Sequence, residues 1–298
     1  MKRRLIASGA ILIALYGVYR WTRLPPSPSA EPFRRLIIAH RGGSDGAPEN
    51  TLAAIRRSHS AGASAVSVDV RLSRDLVPIV IHDETVERTT NGRGRVDALS
   101  VAELKRLDAS NGIPAFAGER IPTLEELIQL CLQLGMKIEI AIKGGVSDSD
   151  RIAREVRWLF AKYDLYGRAF VSSFYPGVLY RLRREDPRIV TAHAMTSNAT
   201  GNPLIDRLLV SPPVTRFLGA GIIAPHRGLV SVNRMKEWQA AGYVVNVWTA
   251  NSANDKAWLE SLGVSYTTRC PQSTCQDYEP DNPPNGVKPG ANAPSTSR

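Results

Sequence analysis

The chain has 298 residues, 43% of them hydrophobic and 22% charged, with a formal net charge of +10. That composition builds one sizeable core, and the length suits a single α/β unit better than two domains, since α/β barrels run to about 250 residues as one unit. A basic surplus suits nucleic acid, an anionic membrane or a phosphate-bearing ligand. With no zinc-finger spacing, no RNA-binding aromatic motif and scattered basic residues, nucleic acid is set aside.

At the N-terminus, Lys2, Arg3 and Arg4 precede an uncharged run from Leu5 to Tyr19, which Arg20, Trp21 and Arg23 close. The run is shorter than the roughly 17–25 residues of a spanning helix, but Tyr19 and Trp21 suit the membrane interface and the arginines can snorkel. A signal peptide shares this layout, yet no small-x-small cleavage site follows, so an uncleaved anchor is favoured over a cleaved signal. The excess of basic residues before the run places the following domain across the membrane, in the lumen or outside. Asn198-Ala-Thr200 is a glycosylation sequon usable on that side. The segment Leu24 to Pro32, with four prolines, reads as an extended linker.

Short β-branched runs then alternate with helical patterns. Strands are expected at 36–40, 65–70, 77–82, 137–143, 169–174, 189–195, 221–225, 243–250 and 264–268. Helices are expected at 51–61, 124–134, 148–163, 232–241 and 253–262. The second begins with a capping box, Thr123 with Glu126 three residues on. This rhythm predicts a parallel sheet with crossover helices, closed or open. Nine strand candidates exceed the eight places of a barrel, so the piece between Asp69 and His82 is expected to be partly a hairpin. Residues 197–221, with Pro203, Pro212 and Pro213, read as an insertion or long loop. Beyond Cys275 the proline-rich tail reads as disordered. Cys270 and Cys275 are close enough to bridge in an oxidising lumen, leaving Cys131 as a core residue on an apolar helix.

The chemistry-bearing residues fall at expected strand ends. His40-Arg41-Gly42-Gly43 sets an acid/base group, a permanent cation and a flexible backbone together, and Pro48-Glu49-Asn50-Thr51 follows. Asp69, His82-Asp83 and Lys143 come next. Two histidines, an arginine and a lysine meeting at one mouth describe an oxyanion site, which suits phosphoryl chemistry.

These blocks, with Arg88-Thr-Thr-Asn-Gly92, Ile121-Pro-Thr-Leu124, Ser172-Ser-Phe174 and Trp248-Thr-x-Asn251, stand in the order shown by the glycerophosphodiester phosphodiesterases. The chain resembles that family from about Ile37 to Thr268, most of all its animal membrane-anchored branch. The resemblance implies a TIM-type (β/α)8 barrel over residues 35–270, after a membrane anchor at 1–23 and a linker at 24–34, with a tail at 271–298. It implies hydrolysis of glycerophosphodiesters or lysophospholipids to glycerol 3-phosphate or lysophosphatidic acid plus an alcohol. His40 and His82 would be the acid/base pair, Arg41 and Lys143 the phosphate-binding cations, Trp248 a pocket wall, and Mg²⁺ or Ca²⁺ the cofactor.

The metal positions depart from the family. Its Glu-x-Asp is here Ser67 and Asp69, and the acidic residue two before the motif lysine is Ala141. A hydroxyl and a methyl group are poor company for a hard dication, which wants charged oxygen ligands. Glu139 lies about 6.6 Å deeper on the same strand face as Ala141 and is expected to pair inside the barrel, with Lys137 or another cation. The family's terminal Thr-Asp is Thr268-Arg269, and its Asp-Gly turn is Asp75-Leu76, without the residue suited to a positive φ. Either the phosphate charge is met by Arg41, Lys143 and Arg269 with weak metal dependence, or the chain is a pseudoenzyme that binds phosphate esters or a partner. A purely structural membrane protein would not be expected to keep both histidines. For Arg269 the plainer alternative is an exposed loop residue.

Overall fold

A computed structural model describes residues 24–143, 149–197, 202, 204–206 and 210–271. The proposed anchor, Asn198 and the tail beyond 271 lie outside the described residues. No helix among the described residues is long and apolar enough to cross a membrane.

Among the described residues nine strands are present: β1 Ile37–His40, β2 Ala65–Leu72, β3 Pro78–Val80, β4 Lys137–Ile142, β5 Ala169–Ser173, β6 Thr191–Met195, β7 Ile222–Pro225, β8 Val244–Trp248 and β9 Ser265–Thr268. Eight of them are parallel and close into a barrel, because β1 pairs with both β2 and β9. The ninth, β3, runs antiparallel to the end of β2, with Val70 opposite Val80. That is the hairpin expected between Asp69 and His82. Its turn holds Leu76 at φ +63°, a left-handed conformation for a side chain ill suited to it.

Among the described residues eight helices accompany the strands: α1 Leu52–Ser60, α2 Val101–Leu104, α3 Leu124–Leu134, α4 Ser149–Tyr163, α5 Pro176–Glu185, α6 Pro212–Phe217, α7 Val232–Ala240 and α8 Ala253–Ser261. The Thr123–Glu126 capping box opens α3 as expected, and Gly135 at φ +68° ends it. The charge-rich α5 and the short α2 were not anticipated. The expected insertion at 197–221 contains α6, whose first two residues are the prolines read as breakers; at N1 and N2 a proline loses no helical hydrogen bond.

Strand periodicity divides inside from outside. Val66, Val68 and Val70 of β2 and Ile138, Ile140 and Ile142 of β4 pack outward in the main core with Leu127, Ile128 and Val156 of the helices. The alternate residues fill the barrel in layers. At its N-terminal end an apolar plug joins Phe33, Ile38, Ala65, Phe170 and Val244. Phe33 is 1% exposed, and its ring meets Phe170 edge-on at 5.0 Å. The segment before β1 is docked on this end. Leu24 and Ala30 are buried, and the Arg183 guanidinium donates to the carbonyls of Pro25 and Pro26 at 2.7 and 2.8 Å. Above the plug lies a polar layer. Asn246 donates to Glu139 at 3.2 Å, Ser172 and Ser67 also hydrogen-bond to Glu139, and the Thr267 hydroxyl donates to Asn246 Oδ1 at 3.2 Å. The C-terminal ends of the strands then form the mouth.

Candidate active site

β1 delivers His40 to the mouth, and a run of left-handed residues turns the chain sharply there: Arg41 at φ +52°, Gly42 at +81° and Gly43 at +89°. A Cβ on Gly43 would stand 2.8 Å from the Ser58 Cβ of α1, so glycine is required on space as well as on φ. The turn is fastened by the Asn50 amide N–H, which donates to the Arg41 carbonyl at 2.7 Å. Asn50 also reads Asp69 twice. Its Nδ2 donates to Asp69 Oδ2 at 3.0 Å, and its Oδ1 accepts from the Asp69 amide at 3.1 Å. Thr51 caps α1 through Ala54, so Pro-Glu-Asn-Thr ties a helix start to the strand that carries Asp69.

Asp69 is the hub. Lys143 Nζ lies 3.1 Å from Oδ1, and Arg41 Nε stands 3.3 Å from Oδ2, within ion-pair range but misaligned for a hydrogen bond. Burial pushes the carboxyl up. The charges of Lys143, His82, Arg41 and His40 together outweigh that and hold it well below the usual carboxylate range. Burial, then Arg41, with Lys143 and Arg269 in support, holds the His40 imidazole well below its ordinary value against the pull of Asp69. The residue is half-buried, and its Nδ1 is buried with no hydrogen-bond partner.

His82 follows β3 and is set differently. Its Nδ1 lies 2.6 Å from Asp83 Oδ1, and its carbonyl accepts from Arg71 Nε at 2.7 Å. Arg88 donates to both oxygens of Asp83, at 2.5 and 3.1 Å, and to both of Glu49, at 2.7 and 3.1 Å. The hydrogen bond from His82, joined by Arg88, holds the Asp83 carboxyl below its usual range although burial opposes this. Glu49 also takes both oxygens to Arg41 Nη1, at 3.1 and 3.2 Å. Arg88 and Asn50 occur within motifs read in the sequence but were not singled out. Arg88 carries the clearer signal, lying five residues after the His-Asp pair.

On the opposite wall, Trp248 Nε1 donates to the Ala224 carbonyl at 2.8 Å, and its ring meets Phe174 and His226 edge-on at 5.4 and 4.9 Å. Lys143 Nζ lies 5.6 Å from the Phe174 ring centre. The mouth thus gathers His40, Arg41, Asp69, His82, Lys143 and Trp248. Arg269 is half-buried, not an exposed loop residue, and its charge bears on His40. Glu139 does not pair with Lys137, which instead bonds to the Pro32 carbonyl and lies 5.3 Å from the Phe33 ring centre. Inside the barrel, burial raises Glu139 above its usual range despite its hydroxyl and amide partners.

The donor set does not suit a divalent ion. Ala141, opposite Asp69 in the β2–β4 register, brings no oxygen, and the Ser67 hydroxyl is committed to Glu139. Among the described residues no cluster of three His, Cys, Asp or Glu side chains is arranged to hold a metal.

The Glycerophosphoryl diester phosphodiesterase family matches residues 40–266, from the first motif histidine into the last barrel strand. The chain belongs to that family. It is 32% identical over 297 residues to Glycerophosphodiester phosphodiesterase 1 of Mus musculus, covering 89% of each chain, and 32% identical to the Homo sapiens counterpart over 298 residues, 90% of this chain and 88% of that one. Among solved structures, a phosphodiesterase of Oleispira antarctica in complex with the product sn-glycerol-3-phosphate superposes with a TM-score of 0.72 at 29% identity, covering 82% of this chain and 97% of that one. As a family member, the chain has the TIM-type phosphodiesterase fold.

Proposed function

We propose that the chain hydrolyses glycerophosphodiesters at the barrel mouth, releasing sn-glycerol 3-phosphate and an alcohol, with lysophospholipids as a second substrate class. The observation that carries this reading is the meeting of two imidazoles in opposite environments around one anion hub. His40 faces the cations and is held neutral, so it is suited to take the proton of an attacking water. His82 is backed by the Asp83 carboxylate, which holds the ring through Nδ1 and leaves Nε2 to give its proton to the departing alcohol oxygen. A bond forms from the water oxygen to phosphorus and the bond from phosphorus to the alcohol oxygen breaks. One proton is taken up at His40 and one released from His82. Arg41 and Lys143 bind the phosphate oxygens, and Trp248 with Phe174 walls the alcohol side. The family generally uses a divalent metal, expected as Mg²⁺ or Ca²⁺. We read the metal site here as degenerate, for Asp69 remains without carboxylates at Ser67 and Ala141.

The test is release of sn-glycerol 3-phosphate from glycerophosphocholine and of lysophosphatidic acid from lysophosphatidylcholine. His40→Ala and His82→Ala are each expected to lower kcat by about 10²–10⁴. Unchanged turnover in either variant would refute the acid/base assignment, and absence of turnover would return the chain to the pseudoenzyme reading.

The reading extends to a single-pass protein with its barrel in the lumen or outside. Residues 1–23 would be the anchor; the disulfide at Cys270 supports an oxidising compartment. Retention of the protein after carbonate washing, with glycan on Asn198, is expected. A soluble mature protein starting near Glu31 would refute the anchor.

A further inference from the structure

We infer that the mouth holds its phosphate directly through Lys143 and Arg41, and that substrate and product bind without any divalent ion. This rests on the mouth being the phosphodiester site proposed above. The first argument is occupancy. Asp69, the one carboxylate left of the family's metal set, meets Lys143 at 3.1 Å on one oxygen and Asn50 at 3.0 Å on the other, with Arg41 at 3.3 Å. A dication would have to displace an ammonium from that carboxylate and sit among the remaining cations. The other mouth carboxylates are also taken: Glu49 by Arg41 and Arg88, and Asp83 by His82 and Arg88.

The second argument is charge. Ser67 and Ala141 each stand where the family pattern has an acid, so two negative charges are absent. That equals the charge of the dication those acids would have held. A mouth lacking both the acids and the ion therefore carries the same net charge as one possessing both, and a phosphate anion meets a comparable field. Arg269, where the pattern has an aspartate, adds further positive charge near His40. The two losses compensate each other, which losing either acid alone would not. Long-range attraction of an anion depends on this sum, while the short-range fit falls to groups that can donate. Lys143 has three donors and engages one oxygen of Asp69, leaving N–H groups for a phosphate oxygen.

The experiment is calorimetry of sn-glycerol 3-phosphate binding to the full chain in EDTA, and again with Mg²⁺ or Ca²⁺. Affinity is expected to change less than about twofold between the two conditions, and to fall about 10–100-fold in Lys143→Met, the loss of one charged hydrogen-bonding group. Since Lys143→Met leaves Asp69 short of a partner and can impair folding, a second variant reads the same idea in reverse. Ser67→Glu with Ala141→Glu restores two negative charges without the ion. It is expected to weaken binding in EDTA by at least about tenfold and to recover it when Mg²⁺ is added. Loss of wild-type binding in EDTA with recovery on adding metal would overturn the inference and leave the hydrolase reading intact. Equal binding in the two conditions without turnover would support the inference and overturn the hydrolase reading.

Discussion

Replacing Lys143 by Met should destabilise the barrel in a pH-dependent way. The Asp69 side chain is 3% exposed, and Lys143 is one of two cations beside it. Removing one partner from a buried pair costs about 3–5 kcal/mol, because the other charge stays buried. Here Arg41 and Asn50 remain, so the lower end of that range, about 3 kcal/mol near pH 7, is the expected loss. Asp69 is depressed in the folded protein, so its contribution is complete above the carboxyl's unfolded value and disappears as pH falls through the folded one. Without Lys143 the folded value rises, and the stabilising contribution vanishes at higher pH. Urea unfolding at pH 7 should show the loss, and an acid titration followed by circular dichroism should show the unfolding midpoint moved to higher pH. A variant with wild-type urea stability and an unmoved acid midpoint would refute the ion pair as the support of this site.

Three further outcomes follow from other parts of the molecule. Phe33→Ala, at the barrel's N-terminal plug, should cost about 3–5 kcal/mol by denaturant unfolding, since the side chain is 1% exposed and meets Phe170 edge-on. Asp83→Asn should lower kcat about 10²–10³-fold with little change in KM, because the amide no longer gives the His82 Nδ1 a carboxylate acceptor that fixes the ring; an equal rise in KM would assign Asp83 to substrate binding instead. Burial pushes the free Cys131 thiol up to about 12, so a thiol reagent at pH 8 should leave it unlabelled in the native protein and label it on unfolding.

The barrel was legible because its outward faces alternate cleanly: Val66, Val68 and Val70 on β2, and Ile138, Ile140 and Ile142 on β4, read as strands from period alone. The mouth was legible because its groups sit at strand ends. Helix α5 was missed because Arg181, Arg183, Arg184 and Glu185 dilute its apolar face, although Val178, Leu179 and Leu182 are fully buried. Arg183 itself is wholly buried, which no local pattern could announce; its partners at Pro25 and Pro26 are more than 150 residues away in sequence. The same distance hid the role of the proline-rich segment. Its prolines read as an extended linker, but the carbonyls that Arg183 binds become visible only once the barrel closes beneath them.

Glu139 shows why a nearby carboxylate does not stand in for a missing ligand. It lies on the face of β4 that also carries Ala141, but one layer down, where its neighbours are Asn246, Ser67 and Ser172. Each of those groups can satisfy a carboxylic acid without supplying a full charge, and burial favours the protonated form. Becoming a metal ligand would require Glu139 to rise a layer and leave three polar groups buried without that partner. Each of those groups would cost about 1–3 kcal/mol. The polar layer is held by its own hydrogen bonds, and the charges above it are those of Asp69, Lys143, Arg41 and Arg269, of which Lys143 also bears on Glu139. Ser67 and Ala141 leave the upper balance to the ion pairs of Asp69, while the hydrogen bonds beneath it hold the polar layer together.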